Sequence, residues 1–102
     1  GGIFFFFLAS DQTVEEVRKN IFKDDVTAIR ECDIILCLLD GRVPDEGMCI
    51  ELGMAHILGR KCIAYRTDSR VSEAEGMNII LEGVLSAVFT NKEELKVYLS
   101  SL

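Results

Sequence analysis

A mostly apolar helical segment that contains one glutamate is the feature that most constrains this chain. After a hydrophobic strand, the sequence turns and enters residues 45–59, where Asp45 is suited to cap a helix and Gly59 to end it. A helix that is apolar almost all round is predicted to be buried. A buried, unpaired carboxylate costs several kcal/mol or takes up a proton. Glu51 in this segment must therefore be paired or have a chemical use.

Two interpretations of Glu51 stay open at this point. In the first, backbone donors or an arginine satisfy a purely structural glutamate. In the second, Asp40, Asp45 and Glu51 lie near the carboxyl end of a strand, where open α/β sheets bind ligands. Gly47 would then let a ligand approach the backbone closely. This second interpretation makes Asp40 and Gly47 candidate substrate-binding residues.

Size and charge narrow the class of protein. The 102 residues are predicted to form a single domain, residues 1–102, and 49% of them are hydrophobic, which excludes disorder. The formal net charge of −6 argues against binding a nucleic acid polymer, which needs clustered Lys and Arg. A small neutral or cationic ligand fits this composition better.

The cysteines indicate a reduced compartment. The chain has one histidine and no C-x-x-C pair, so neither a metal site nor a disulfide framework is predicted. The first ten residues are apolar but too short to span a bilayer and lack a basic flank. We therefore expect a cytoplasmic protein that uses no membrane and no metal. Four core cysteines are expected to be reduced: Cys32, Cys37, Cys49 and Cys62.

Strand and helix patterns alternate along the chain. Continuous apolar runs predict buried parallel strands, the first of them central to the sheet. Residues 13–31 have helical spacing, and Asp24-Asp25 could restart a second helix within them. Strands are predicted at 3–9, 33–39, 61–66 and 85–89, with the remaining helices at 45–59, 78–82 and 91–99. This order predicts an α/β fold, a three-layer α/β/α sandwich with a mostly parallel flavodoxin/Rossmann-like sheet.

Three sequence segments together resemble a known family, the nucleoside 2-deoxyribosyltransferases. The likeness covers about residues 25–80. The segments are Cys32-Asp33 before a strand that ends at Asp40-Gly41, then Asp45-x-Gly47-x-x-x-Glu51-x-Gly53-x-Ala55, then Lys61 opening a strand that runs to Thr67-Asp68-x-Arg70.

The resemblance assigns roles to individual residues. It implies that Glu51 is the nucleophile, that Asp45 handles base recognition and proton transfer, and that Asp25 binds substrate. It also implies that Asn78 completes the active site of a neighbouring subunit, so the expected assembly is a homodimer or higher homo-oligomer with shared active sites. The implied reaction cleaves the N-glycosidic bond of a 2′-deoxyribonucleoside and transfers deoxyribose to another base through a covalent Glu51 ester. No cofactor is expected, and the partners are nucleosides or nucleotides and free nucleobases.

The chain also departs from the family. Phe7 stands where the family has a tyrosine, and a helix and a strand that normally precede the position of Asp25 have no counterpart between residues 11 and 24. Either the protein is abbreviated there or the sequence omits a segment, and the second is expected because the rest of the pattern is intact. Two other functions stay open: a deoxynucleoside 5′-monophosphate N-glycosidase, and a non-enzymatic flavodoxin-like binding or receiver module.

Overall fold

A computed structural model describes residues 2–5, 15–41, 43–67 and 77–102, with the backbone alone for residues 4 and 5. Strands and helices alternate through these residues, as the sequence predicts. In chain order the elements are β1 (Ile3–Phe5), α1 (Glu15–Glu31), β2 (Ile34–Leu39), α2 (Glu46–Ile57), β3 (Lys61–Arg66), α3 (Ile79–Val84), β4 (Ala87–Phe89) and α4 (Lys92–Ser100). The predicted ends of the first strand, residues 6–9, and the polar loop around Asp68 and Arg70 lie outside the described residues.

The four strands form one parallel sheet in the order β1-β2-β3-β4. Ile34 pairs with Lys61, and Leu39 pairs with Arg66 at the carboxyl end of the same ladder. Parallel neighbours in sequence order require a crossover helix between each pair, and α1, α2 and α3 supply these crossovers. The chain therefore has an α/β fold, as predicted.

Alternate residues of β2 point to opposite faces of the sheet and so define two cores. On one face, Ile35, Cys37 and Leu39 pack in a cluster with side chains from α1, α2 and α3. On the other face, Ile34 and Leu36 pack in a cluster with α4. Helices on both faces of a parallel sheet give the three-layer arrangement.

Helix α4 is anchored by a cap and by an aromatic contact. The Asn91 side chain accepts hydrogen bonds from Glu93 N at 2.8 Å and Glu94 N at 3.1 Å. The Tyr98 ring lies 4.9 Å from the Phe89 ring of β4, centroid to centroid. Both contacts lie on the sheet face opposite α1 and α2.

One prediction about the first half of the chain is wrong, and one alternative that the sequence left open is ruled out. Within the described residues β1 pairs on one side, with β2, and Ile3 is 41% exposed, so the strand does not lie at the centre of the described sheet. The Asp24-Asp25 doublet does not divide the first helix, which is continuous from Glu15 to Glu31. Aspartate has only a weak helix penalty, which packing along the rest of α1 overrides.

The prediction that α2 is buried all round is also wrong. Met48, Leu52 and Ala55 are buried against the sheet, whereas Ile50 is 64% exposed and Ile57 is 85% exposed. The helix belongs to an outer layer, so the described chain covers the sides that face the sheet and the neighbouring helices α1 and α3 and leaves the outward side uncovered. The α2 surface therefore presents large apolar side chains to its surroundings.

The four cysteines are free, and three of them, Cys32, Cys37 and Cys62, are buried. Burial raises the pKa of Cys37 to about 12 and that of Cys62 to about 11. These thiols are therefore protonated core side chains rather than nucleophiles.

Candidate active site

The turn after β2 fixes the start of α2. Asp45 has extended backbone dihedrals, and its Oδ2 accepts a hydrogen bond from Met48 N at 2.9 Å. This is the geometry of a helix N-cap, which the sequence predicted for Asp45. The cap fixes the first turn of α2, and Glu51 follows in the second turn.

A small cavity opens between α1 and α2 at Glu51. Its volume is about 180 Å³. Seven residues from the two helices line it: Phe22, Asp25, Val26, Gly47, Ile50, Glu51 and Met54. On α1 the lining residues recur at a spacing of three and four, which places them on one face of the helix. The cavity walls are apolar apart from the two carboxyl groups, Asp25 and Glu51.

Glu51 is almost completely buried, with 8% of its surface exposed. Burial, together with the neighbouring carboxyl groups of Asp25 and Asp45, raises the pKa of its carboxyl group from an ordinary value of 4.5 to about 8, and burial is the largest of these causes. Each effect disfavours the charged form, because a carboxylate loses hydration on burial and is repelled by like charges. Glu51 in this cavity therefore holds a proton at neutral pH.

Asp25 and Glu51 face the same cavity from α1 and α2. Two ionised carboxylates there would repel each other and could not form a hydrogen bond, because both are acceptors only. Among the described residues, Oε2 of Glu51 is buried and has no hydrogen-bond partner. A structural glutamate satisfied by backbone N–H groups or by an arginine does not match this environment. The arrangement is a protonated carboxyl group beside a second carboxyl group.

The structure brings together some of the predicted site residues and separates others. Asp25, Gly47 and Glu51 line the cavity, and Asp45 acts on Glu51 from the preceding turn. Asp40 is exposed after β2 and does not line this cavity. Asn78 is exposed, and its Oδ1 caps α3 by accepting from Ile80 N at 2.8 Å. The predicted role of Asn78 in a neighbouring subunit stays a prediction.

Sequence reasoning missed the apolar wall of the cavity. Phe22 and Val26 flank Asp25 at positions i−3 and i+1, and Ile50 and Met54 come from α2. Their spacing on two helices was visible in the sequence. Which faces of the helices meet was not visible, because it depends on tertiary packing. Among the described residues no group of three acidic, histidine or cysteine side chains could hold a metal ion.

The three-layer α/β/α domain places a buried, protonated glutamate beside two aspartates, near the start of the helix that follows β2. This arrangement equips the domain for carboxylate chemistry. The family model for nucleoside 2-deoxyribosyltransferase matches residues 7–94. The chain belongs to that family, and membership indicates an enzyme that transfers or hydrolyses glycosyl groups and acts on nucleosides or bases. No curated protein sequence matches the chain. Within the described ranges, no helix has the length and hydropathy needed to cross a membrane.

Proposed function

We propose that this protein is a nucleoside 2-deoxyribosyltransferase in which Glu51 is the nucleophile. The observation that carries the proposal is the burial of Glu51 in an apolar cavity with Asp25 and Asp45 as its charged neighbours. Within the part of the chain that the structure describes, no donor reaches the buried Oε2 of this carboxyl group, and its burial opposes folding. A group retained against that cost is a functional candidate.

The proposed reaction has two displacement steps. A carboxylate oxygen of Glu51 attacks the anomeric carbon of a 2′-deoxyribonucleoside, the C–N glycosidic bond breaks, and the departing base takes a proton. A nitrogen of a second base then attacks the same carbon, loses its proton, and releases Glu51 as a carboxylate. Two inversions retain configuration at the sugar, by the logic of retaining glycosidases.

The two aspartates have different tasks in this scheme. Asp25 lines the same cavity as Glu51 and is suited to hold the proton that Glu51 must give up before it attacks. Asp45 uses Oδ2 for the helix cap, and we assign its Oδ1 to the proton that moves to or from the base. Both assignments agree with the direction in which the two aspartates shift the pKa of Glu51, since a neighbouring negative charge favours the protonated acid.

The cavity matches a sugar better than a whole nucleoside. A volume of about 180 Å³ corresponds to roughly six water molecules at about 30 Å³ each. Pockets that enclose complete small-molecule ligands are usually larger, at about 300–1,000 Å³. The deoxyribose would occupy the cavity while the base lies at its mouth, against Phe22 and Ile50, which are 68% and 64% exposed.

We propose that a second copy of the chain covers this mouth. The rim residues continue into an exposed apolar surface on α2 that includes Ile57, 85% exposed. Monomeric proteins rarely leave contiguous apolar patches uncovered. A homodimer or higher homo-oligomer would bury the patch and let Asn78 of one copy approach the site of another.

One observation favours a second candidate, the deoxynucleoside 5′-monophosphate N-glycosidase. Arg18 and Lys19 lie one turn before Phe22 and line a recess that shares Phe22 with the Glu51 cavity. Lys19 pairs with Glu15 at 3.3 Å. A guanidinium close to the sugar site could bind a 5′-phosphate.

A single assay tests both candidates. The protein is incubated with thymidine and free adenine, and separately with thymidine 5′-monophosphate in water, and products are separated by chromatography. Formation of deoxyadenosine supports the transferase, whereas release of thymine from the monophosphate alone supports the hydrolase. Glu51→Gln, which keeps the shape of the side chain, should abolish product in either case. Product formation by Glu51→Gln at the normal rate would remove both proposals.

A further inference from the structure

The C-terminal end of α2 is shaped so that the Arg60 side chain contacts the C-terminal ends of both α1 and α2. Gly59 has a φ of 78°, and its N–H donates to His56 O at 3.0 Å, while Arg60 N donates to Ala55 O at 2.8 Å. This pair of bonds is the Schellman arrangement, in which a residue with positive φ ends the helix. Its consequence is that the Arg60 side chain turns back across the helix ends.

The Arg60 guanidinium donates to both helices of the site. Nε donates to Ile29 O at 3.2 Å and Nη2 donates to Arg30 O, both in the last turn of α1. Nη1 donates to Leu58 O at 3.2 Å, at the C-terminal end of α2. Carbonyls in a last helical turn lack partners within their helix and carry the negative end of the helix dipole. A half-buried cation with five donors in a planar fork suits this position.

The residues that accept hydrogen bonds from Arg60 lie within two helical turns of Asp25 on α1 and of Glu51 on α2. Ile29 is one turn after Asp25 on α1, and Leu58 lies two turns after Glu51 on α2. We propose that Arg60 is a positioning residue, which holds the C-terminal ends of α1 and α2 together and so sets the distance between the Asp25 and Glu51 side chains. It acts through the two helices and touches neither carboxyl group. Its importance for catalysis rests on the proposed function, whereas its effect on the pair does not.

A positioning role for Arg60 differs from general stabilisation in its expected effect on the pKa of Glu51. Two neighbouring charged groups raise this pKa, Asp25 on α1 and Asp45 at the start of α2. Asp45 precedes Glu51 in the same helical segment, so loosening α1 leaves its influence in place. If α1 moves away, Asp25 withdraws and water enters the cavity, and both changes lower the pKa of Glu51.

The experiment measures Glu51 directly. The full chain is labelled with ¹³C at the glutamate carboxyl carbons, the Glu51 signal is assigned by its loss in Glu51→Gln, and its titration is followed by NMR. Variants are Arg60→Ala, and Arg60→Lys in case the alanine variant does not fold. Lysine keeps the charge but its single ammonium cannot span three carbonyls. Asn91→Ala, which removes the cap of α4 on the opposite face of the sheet, serves as a control of reduced stability.

We expect the pKa of Glu51, about 8 in the parent protein, to fall by about one unit or more in either Arg60 variant. It should stay unchanged in Asn91→Ala. In an Asp25→Asn background the same Arg60 substitution should have a clearly smaller effect, because the neighbouring charge is already gone.

An unchanged Glu51 titration in a folded Arg60 variant would overturn the proposal, and so would equal shifts with and without Asp25. The proposed function is judged separately, by product formation in the parent protein. A protein that shows the NMR shift but makes no product would retain the positioning role and lose the transferase assignment.

Discussion

The Asp25 side chain of α1 and the Glu51 side chain of α2 line the same apolar cavity, where the Asp25 carboxyl group raises the pKa of Glu51. The two residues are separated in sequence by the whole of β2, so the parallel sheet and its crossover helices bring them together. The raised pKa accounts for how a carboxyl group can stay buried here, because protonation of Glu51 removes one of two repelling charges. It also makes the protonation state of Glu51 the property on which the proposed chemistry depends.

The activity of the free enzyme should increase with pH through the pKa of Glu51, near 8. Attack on the sugar requires the ionised carboxylate, so kcat/KM should be low at pH 6 and level off above pH 9. Asp25→Asn removes a charge that raises this pKa and should move the acid limb of the profile to lower pH. Asp24→Asn, an exposed neighbour on the same helix, is the matched control and should leave the limb in place. A profile that is flat from pH 6 to 9 would be inconsistent with a protonated nucleophile.

Replacing Glu51 with glutamine should stabilise the protein in alkaline solution. Glu51 has a folded pKa near 8 and an ordinary value of 4.5, so between these values the folded state binds more protons than the unfolded state. Its contribution to stability is therefore lost as pH rises from about 4.5 to 8. Glu51→Gln should unfold like the parent at pH 4 and be more stable by up to about 5 kcal/mol at pH 8.5. Urea unfolding at the two pH values measures the difference, and a Glu51→Gln variant that is less stable at pH 8.5 would contradict it.

The cap and the charge of Asp45 can be separated by two substitutions. Asp45→Ala removes the hydrogen bond to Met48 N and should destabilise the protein by about 1 kcal/mol. Asp45→Asn preserves the cap acceptor and should change stability by only a few tenths of a kcal/mol, yet both variants should lose most of the transfer activity. Asn91→Ala is the control: it removes the cap of α4, so it measures the loss of stability from a missing cap without an effect on catalysis. Full activity in Asp45→Asn would show that its charge has no part in the reaction.

A single substitution on the exposed face of α2 should dissociate the proposed oligomer. Ile57→Glu places a charge in the apolar surface beside the site mouth, where it would be buried without a partner in the assembly. Light scattering should report a dimer or larger species for the parent and a monomer for the variant, with reduced activity if sites are shared. Val97→Glu, at a 70% exposed position on α4, should keep the assembly. A parent protein that is monomeric and fully active would remove the shared-site proposal.

Much of the fold could be predicted because the sequence patterns that indicate its strands, helices and caps are local. The strand at Lys61–Arg66 lies within its predicted bounds, and Asp45 and Asn91 cap the helices that the sequence suggested. Capping and apolar periodicity act over a few residues, so they are visible without knowledge of the tertiary structure.

The errors and omissions concern long-range packing. The exposure of Ile57 depends on which layer contains α2, and the neighbours of Glu51 depend on how α1 crosses that helix. The role of Arg60 was missed because its partners, Ile29 and Arg30, are about thirty positions away and offer only backbone carbonyls. No residue pattern marks a carbonyl acceptor, since every residue has one.

The most direct test of the account is detection of the covalent intermediate. The protein is mixed with thymidine in the absence of an acceptor base, quenched in acid, and digested, and the peptide that contains Glu51 is examined by mass spectrometry. We predict an added mass equal to one deoxyribosyl group on Glu51, which disappears when adenine is supplied before the quench and is absent in Glu51→Gln. Turnover of thymidine with no adduct on Glu51, or with an adduct on another residue, would contradict the central claim.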